Sequence, residues 1–371
     1  MREGVNPGLE DQGPDGLSRH RIVVPIYIPT LTGYFKHSLE ILGLCLESLR
    51  LTSAGRASVT LVANGCTPEV VLELQRQHES GWVDQLVLNR YNRGKVDAVV
   101  SATRGAFEDL LTISDCDVLF RQGWIEGVEE IFVVFPECGF ASAAPNPSLA
   151  WYHTSATMLA ALVRGEVCME KAVPDIDLDR FANSIGWPEI FDSSQRRSQI
   201  VLRRDGAAAC VGAGHFICTI RKEVVPAIPR EACRRHLLGA EEHWLDKPPD
   251  ALGFWRLATT RAYAYHMGNV PEPWMYREIE ECRHFTPSAP RPPRALPAAK
   301  RTWPTIFPER PKRWMLRLIR AAISILARFE TARTKPPAEA TRRPTEASPG
   351  QREDEYIAVG SRENRDENAH R

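Results

Sequence analysis

Net charge is the first thing this chain lacks. Lys plus Arg and Asp plus Glu each number 47 in 371 residues, so the formal charge is zero and the pI is about 7.1. Without a basic excess there is no electrostatic footprint for nucleic-acid binding. No apolar run approaches the ~20 residues that a spanning helix needs. The opening MREGVNPGLEDQGPDG has no apolar core of the signal-peptide kind. The nine cysteines form no C-x-x-C pair and no His/Cys cluster at zinc spacing, which excludes a zinc ribbon. Cys45, Cys116, Cys210 and Cys218 sit among apolar neighbours and read as reduced thiols of a cytosolic protein. A dinucleotide fingerprint is missing too, because Ile217 stands where the third glycine after Gly212 and Gly214 would be. That glycine pair predicts a close backbone approach instead.

What is present is alternation. Arg21 to Ile28, Ser58 to Ala63, Val83 to Leu88 and Leu110 to Ile113 are short apolar runs that read as buried strands. Between them, Tyr34 to Arg50 carries Phe35, Leu39, Leu42, Cys45/Leu46 and Leu49 at helical period. Thr67 caps a helix to about Gln77, with Pro68 in its first turn. Asn92 to Lys95 turns into a helix reaching about Phe107. Strand and helix in this order predict a doubly wound, mainly parallel α/β sheet flanked by helices. The loops that begin at Pro25, Asn64, Leu88 and Asp115 should then meet in one crevice.

Further on, Trp124 to Val133 and Ala156 to Val163 read as helices, and Gly139 to Ala144 as a strand. Glu166 to Ser198 shows no regular pattern. Gln199 to Arg203 and Ala207 to Ile220 read as strands around Gly212, Arg221 to Val225 and Ala240 to Leu245 as helix starts. Arg261 to Tyr265 is a strand, and Pro271 to Arg301 is Pro-rich and extended.

The stretch LLTISDCDVLFRQGW, Leu110 to Trp124, carries the chemistry. In extended chain Asp115 and Asp117 share a face, with Cys116 turned to the core. Two carboxylates so close repel unless a positive charge lies between them. A hard divalent cation with oxygen ligands, Mg²⁺ or Mn²⁺, is the usual candidate; the alternative is an acidic turn.

In order, the motifs VVPIY (Val23 to Tyr27), VANGC (Val62 to Cys66), NRGK (Asn92 to Lys95), SDCD (Ser114 to Asp117), RQGW (Arg121 to Trp124), GAGHFICTIRKEV (Gly212 to Val224), AEEHW (Ala240 to Trp244) and HMGN (His266 to Asn269) resemble a family 2 glycosyltransferase of the GT-A fold. The resemblance implies a nucleotide-diphosphate-sugar donor, a divalent metal and inversion at the anomeric carbon. It places Pro25, Tyr27 and Asn64 in the nucleoside pocket. Asn92, Gly94 and Lys95 would lie by the nucleotide, Lys95 near the diphosphate. Asp115 and Asp117 would hold ribose and metal, with His266 as a further metal ligand. At the VANGC turn, where the family often has an acid, this chain offers Ala63 and Asn64.

Glycosyl transfer needs a general base for a poorly nucleophilic hydroxyl. The resemblance gives that role to Glu242. Glu241 and Asp246 are the alternatives: on a helix Glu241 points about 100° away, while Asp246 would share the face of Glu242. Trp151, His215 and Trp244 are candidates for stacking on a sugar or an apolar acceptor, which would be a glycan, a lipid-linked or a small molecule. Cell-surface polysaccharide or glycolipid synthesis would suit such an acceptor. Each residue has a plainer alternative: a backbone-bonded strand-end histidine for His266, a solvated lysine for Lys95, a solvated helix start for the glutamates, core packing for the tryptophans.

The organisation expected is a disordered 1–19, a GT-A domain over 20–270, a Pro-rich 271–312, a C-terminal amphipathic helix over 313–330 and a disordered 331–371. Arg313, Arg317, Arg320, Ser324 and Arg328 share one face of that helix, and Met315, Leu318, Ile319, Ala322, Ile325, Leu326 and Phe329 the other. A basic amphipathic helix of this kind lies in a membrane surface or packs on protein. The expected location is cytoplasmic, with peripheral membrane attachment through this helix. Two other activities fit the layout. A sugar-phosphate nucleotidylyltransferase shares it, but IPTLTG after the first strand is not its Gly-rich, Arg-containing loop. A non-catalytic glycan- or partner-binding protein is the other.

Overall fold

The computed structural model describes residues 18–53, 55–233, 240–285 and 294–302, with the single positions Gly4, Leu318 and Ala321. The helix expected over 313–330 therefore lies outside the described residues apart from Leu318 and Ala321, as does the tail over 331–371. Among the described residues no helix is long and apolar enough to cross a membrane.

The first four apolar runs become β1 (His20–Ile26), β2 (Ser58–Asn64), β3 (Gln85–Asn89) and β4 (Leu110–Ser114), connected by α1 (Ser38–Ser53), α2 (Pro68–Glu79) and α3 (Lys95–Thr103). They lie side by side as β3-β2-β1-β4, all parallel. β1, β2 and β4 are buried almost end to end, as strands covered on both faces must be. Pro25 is tolerated in β1 because pairing with β4 ends at Val23, which leaves one flank there without need of a donor. α1 turns Ile41, Leu42, Cys45, Leu46 and Leu49 into the core, and Pro68 opens α2 behind an extended Thr67. α3 stops at Thr103, short of the expected Phe107. Gly105 follows it and Phe107 is exposed, so no packing prolongs it.

The chain continues through β5 (Val118–Phe120), α4 (Trp124–Val134), β6 (Cys138–Ser142), α5 (Ser155–Arg164), β7 (Val167–Glu170), α6 (Asp175–Ser184), α7 (Ser193–Arg197), β8 (Gln199–Arg204), β9 (Ala207–Val211), β10 (Ile217–Arg221), α8 (Lys247–Ala251), β11 (Trp255–Ala258), β12 (Ala264–His266) and α9 (Pro273–His284). The main sheet has ten strands in the order β3-β2-β1-β4-β10-β6-β11-β9-β8-β7. Strands β3, β2, β1, β4, β6, β11 and β8 run one way and β10, β9 and β7 the other. The fold is thus an α/β sheet, mixed but mainly parallel, flanked by helices. β5 and β12 form a separate antiparallel ladder in which His266 pairs with Val118.

Three expectations are corrected. The segment 166–198 is regular: β7 is an edge strand with half-buried residues, and α6 buries only Asp177, Leu178 and Ala182, a pattern too sparse for periodicity to register. Pro271 to Arg301 is not extended throughout. Pro273 opens α9, and Met275, Glu278, Ile279 and Cys282 recur at helical spacing and are buried. Thr302 N–H and Oγ1 both donate to the Gly253 carbonyl, at 2.8 and 2.9 Å, and the Trp255 indole donates to Thr302 Oγ1 at 3.3 Å. The described fold therefore extends past residue 270. The helix starts at 221 and 240 resolve into a 3-10 turn over Lys222–Ala227 and a π turn over Glu242–Asp246 that runs into α8.

The glycine pair behaves as its spacing predicts. Gly212 has φ +125°, and a Cβ there would lie 2.3 Å from the Asn146 carbonyl oxygen, while Asn146 N–H donates to the Gly212 carbonyl at 2.9 Å. Gly212→Ala should lose about 3 kcal/mol or more of stability, since strain and a backbone clash add. Urea unfolding of the variant measures this; an unchanged midpoint would show that the approach is not tight.

Candidate active site

The carboxyl ends of β1 to β4 share one edge, and antiparallel β10 begins at that same edge, where Asp115 N–H donates to the Phe216 carbonyl at 2.8 Å. Asn64, buried at the end of β2, organises the next turn. Its Nδ2 donates to Asn92 Oδ1 at 2.9 Å and to the Gly94 carbonyl at 3.3 Å, and its Oδ1 accepts from Arg93 N–H at 3.0 Å. Gly65 allows this contact, because a Cβ there would stand 2.7 Å from Asn92 N. Gly94, at φ +79°, then opens α3 and delivers Lys95 to the crevice. Tyr27 stands at the end of β1, 42% exposed, with its ring edge-on to Phe35; Pro25 is buried within the strand.

Asp115 to Asp117 is a turn, not extended chain, so the two carboxylates part company while Cys116 packs on the core as expected. Asp115 Oδ1 pairs with Lys95 Nζ at 2.5 Å, and the same ammonium lies 3.6 Å from Glu241 Oε1. Burial disfavours the charge on Lys95, but Asp115, and after it Glu241, outweigh burial and hold its pKa above the ordinary lysine range. Asp117 faces His266, with Oδ2 at 3.5 Å from Nε2. This contact follows from the β5–β12 ladder, which sets Val118 beside His266.

The tautomer of His266 follows from its other neighbour. Ser184 Oγ donates its one proton to the Phe181 carbonyl at 2.8 Å, so it accepts from His266 Nδ1 at 3.0 Å. Neutral imidazole then presents an Nε2 lone pair to the Asp117 carboxylate. Asp117 Oδ1 is buried with no hydrogen-bond partner. Burial first, opposed by His266 and reinforced by Asp115, pushes the Asp117 carboxyl up. A lone pair and a buried carboxylate facing each other at 3.5 Å leave a gap that suits a small cation. Among the described residues no three His, Cys, Asp or Glu groups stand close enough to enclose a metal. Asp117 and His266 come together; Asp115 is turned to Lys95.

The turn over Glu242–Asp246 closes the crevice. Asp246 does not share the face of Glu242. It is fully buried, with Oδ1 accepting from Arg256 Nη2 at 2.9 Å and Oδ2 bonded to His215 Nδ1 at 3.0 Å. Burial alone would raise its carboxyl, but the His215 bond and the Arg256 charge more than offset that and hold it below the ordinary carboxylate range. Glu242 is 52% exposed and meets His153 Nε2 at 3.1 Å. Glu241, 15% exposed, is turned to Lys95. The structure thus separates the three acids: one locked, one bridged, one open. Trp151 packs half-buried on the core, and Trp244 does so on a second cluster while its indole donates to the Glu231 carbonyl at 3.4 Å.

Three contributors escaped the sequence reading. Arg256 was legible as one charge inside the apolar run FWRLA. Ser184 and His153 carried no signal, since each matters only through a partner distant in sequence.

No family model and no curated protein matches the sequence. Solved structures share the outline. The mannosyltransferase PcManGT from Pyrobaculum calidifontis, solved with GDP-Man and Mn²⁺, superposes with TM-score 0.40 at 14% identity over 72% of this chain and 62% of that one. TarS 1–349 of S. aureus gives 0.39 at 12% identity over 70% and 62%. The inositol-1-phosphate CTP transferase of T. maritima gives 0.40 at 12% identity over 74% and 99%. The chain spans 62% of the length of each of the first two.

Asp246→Asn leaves the buried Arg256 without its counter-charge and should cost about 3–5 kcal/mol at neutral pH. Because the folded carboxyl is held low, its stabilisation is present above about pH 4, the unfolded value, and is lost as pH falls through the folded one. Urea titrations should show the gap between wild type and variant narrowing below pH ~4.

Proposed function

We propose that this protein is a metal-dependent, inverting glycosyltransferase that moves a sugar from a nucleotide-diphosphate sugar to an acceptor hydroxyl. The observation that carries the reading is the Asp117–His266 pair, in which Asp117 Oδ2 lies 3.5 Å from His266 Nε2 while the other carboxylate oxygen, Oδ1, is buried with no hydrogen-bond partner. Asp117 and His266 would hold Mg²⁺ or Mn²⁺, while Asp115 stays with Lys95. When bound, the cation supplies Lewis-acid stabilisation to the departing diphosphate.

The rest of the chemistry belongs to the chain. Lys95 provides a fixed positive charge for the diphosphate, kept charged by its neighbours. The Asn64–Asn92 clamp fixes the turn that carries it, and Tyr27, exposed at the end of β1, would line the nucleoside side with the buried Pro25 and Asn64 supporting it from behind. Glu242, the open carboxylate, takes the acceptor proton as the acceptor oxygen attacks the anomeric carbon and the carbon–phosphate-oxygen bond breaks. A single displacement from the side opposite the leaving group inverts the centre. Trp151, His215 and Trp244 stand on the acceptor side, where a glycan, a lipid-linked or a small-molecule acceptor would sit.

Calorimetry with UDP, GDP and dTDP, with and without Mn²⁺, tests the donor site. One of the three should bind with Mn²⁺ and lose at least tenfold in affinity without it, and Asp117→Ala should remove the metal dependence. Folded protein that binds none of them would sink this reading. Glu242→Gln should lower kcat by about 10²–10⁴-fold with donor affinity unchanged, as read by release of nucleoside diphosphate from UDP-GlcNAc and GDP-Man. Release of pyrophosphate from a nucleoside triphosphate would instead indicate a nucleotidylyltransferase.

A further inference from the structure

Among the described residues only two other than glycine have positive φ, His153 at 49° and Asp205 at 50°. Asp205 needs no special account, because with Gly206 it makes the two-residue turn between β8 and β9, where a left-handed Asp-Gly pair is ordinary. His153 lies in no such hairpin. Positive φ is uncommon outside glycine, although histidine is among the types that adopt it more readily, and it persists where the surroundings favour it.

The surroundings of His153 are rigid. Asn146 N–H is bonded to the Gly212 carbonyl, Tyr152 N–H to the Leu149 carbonyl, and Thr154 Oγ1 to the Ala150 carbonyl. The Tyr152 ring lies 5.6 Å from the Arg256 guanidinium and 4.4 Å from the His153 ring, edge to face. The segment 146–154 is therefore a strut fixed at one end to the backbone of Gly212 and near the other, through Tyr152, to the buried Arg256. Its outer end is the His153 imidazole, whose Nε2 stands 3.1 Å from Glu242 Oε1. An ionised carboxylate can only accept, so Nε2 carries the proton and donates it.

We propose that His153 is a positioning residue for Glu242: its Nε2–H holds Oε1 and leaves Oε2 aimed at the acceptor. This rests on the reading of Glu242 as the general base. A half-exposed glutamate has three rotatable bonds, and a single fixed hydrogen bond to one oxygen removes most of that freedom before the acceptor arrives. In the transfer step the acceptor O–H proton passes to Oε2. The acceptor oxygen bonds the anomeric carbon, and the pair from the broken carbon–oxygen bond leaves on the diphosphate. His153 neither gains nor loses a proton.

The strain at His153 supplies the test, because glycine fits the backbone there better than histidine does. The readout is release of nucleoside diphosphate from UDP-GlcNAc and from GDP-Man with Mn²⁺ and water in the acceptor place, for wild type, Glu242→Gln, His153→Gly and His153→Gln. His153→Gly should melt at or above the wild-type temperature while kcat falls at least tenfold, with donor KM within twofold. His153→Gln, whose amide N–H can take the place of Nε2–H, should restore kcat to within about threefold of wild type. The proposal is overturned if His153→Gly keeps wild-type kcat while Glu242→Gln is inactive, or if His153→Gln is as slow as His153→Gly. Absence of turnover in the wild type, or full activity in Glu242→Gln, would instead overturn the assignment of Glu242 and take this proposal with it.

Discussion

The buried pair of Arg256 and Asp246 is the interaction on which the crevice depends. Arg256 is a fully buried charge in β11, stacked 4.3 Å over Phe140. Besides the Asp246 carboxylate it reaches the Asp246 and Ala213 carbonyls at 3.0 and 2.8 Å. One guanidinium therefore ties the sheet to the turn that carries Glu241 and Glu242 and to the glycine loop that faces Asn146. Desolvating two charges is expensive, and a hydrophobic pair of similar volume would often be as stable. What the ion pair provides is direction. A planar guanidinium with several donors fixes three backbone segments at set angles, which apolar packing would leave loose.

The same division of labour runs through the acids of the site. Asp246 is satisfied inside the protein and held low. Glu241 and Asp115 share Lys95. Glu242 has only His153 and the solvent. The three acids of the turn, Glu241, Glu242 and Asp246, each have a different partner, Lys95, His153 and Arg256 with His215, and that separates their roles. The sequence places two glutamates side by side and cannot say which faces outward. The π turn and the Lys95 bridge decide it.

Legibility followed the range of the interactions. β1 to β4 and α1 to α4 were readable because their apolar residues repeat at a period set by local geometry. The segment 166–198 was not, because β7 is an edge strand and α6 turns mostly to solvent, so little apolar pattern exists to be read. Pro273 misled for a different reason: proline is a helix breaker inside a helix but a good first residue, and Pro-rich flanks hid the Met275, Ile279, Cys282 stripe. At the site, the Asp115, Asp117 and His266 types were visible. The turn that splits the two aspartates is not announced by their spacing, and the bond that orients His266 through Ser184 joins residues 82 apart in sequence.

That split has a consequence for what the edge of the sheet can bind. Asp115 is neutralised by a fixed internal cation at 2.5 Å. Asp117, two residues away, faces His266 at 3.5 Å, and its Oδ1 is buried with no hydrogen-bond partner. One positive charge, Lys95, serves Asp115 and Glu241 together, so the cluster stands in deficit of positive charge. In the proposed reading a small divalent ion would correct that deficit where a proton would do so only in part. It would also leave Lys95 free to trade its carboxylates for an incoming diphosphate, whose charge matches what it gives up.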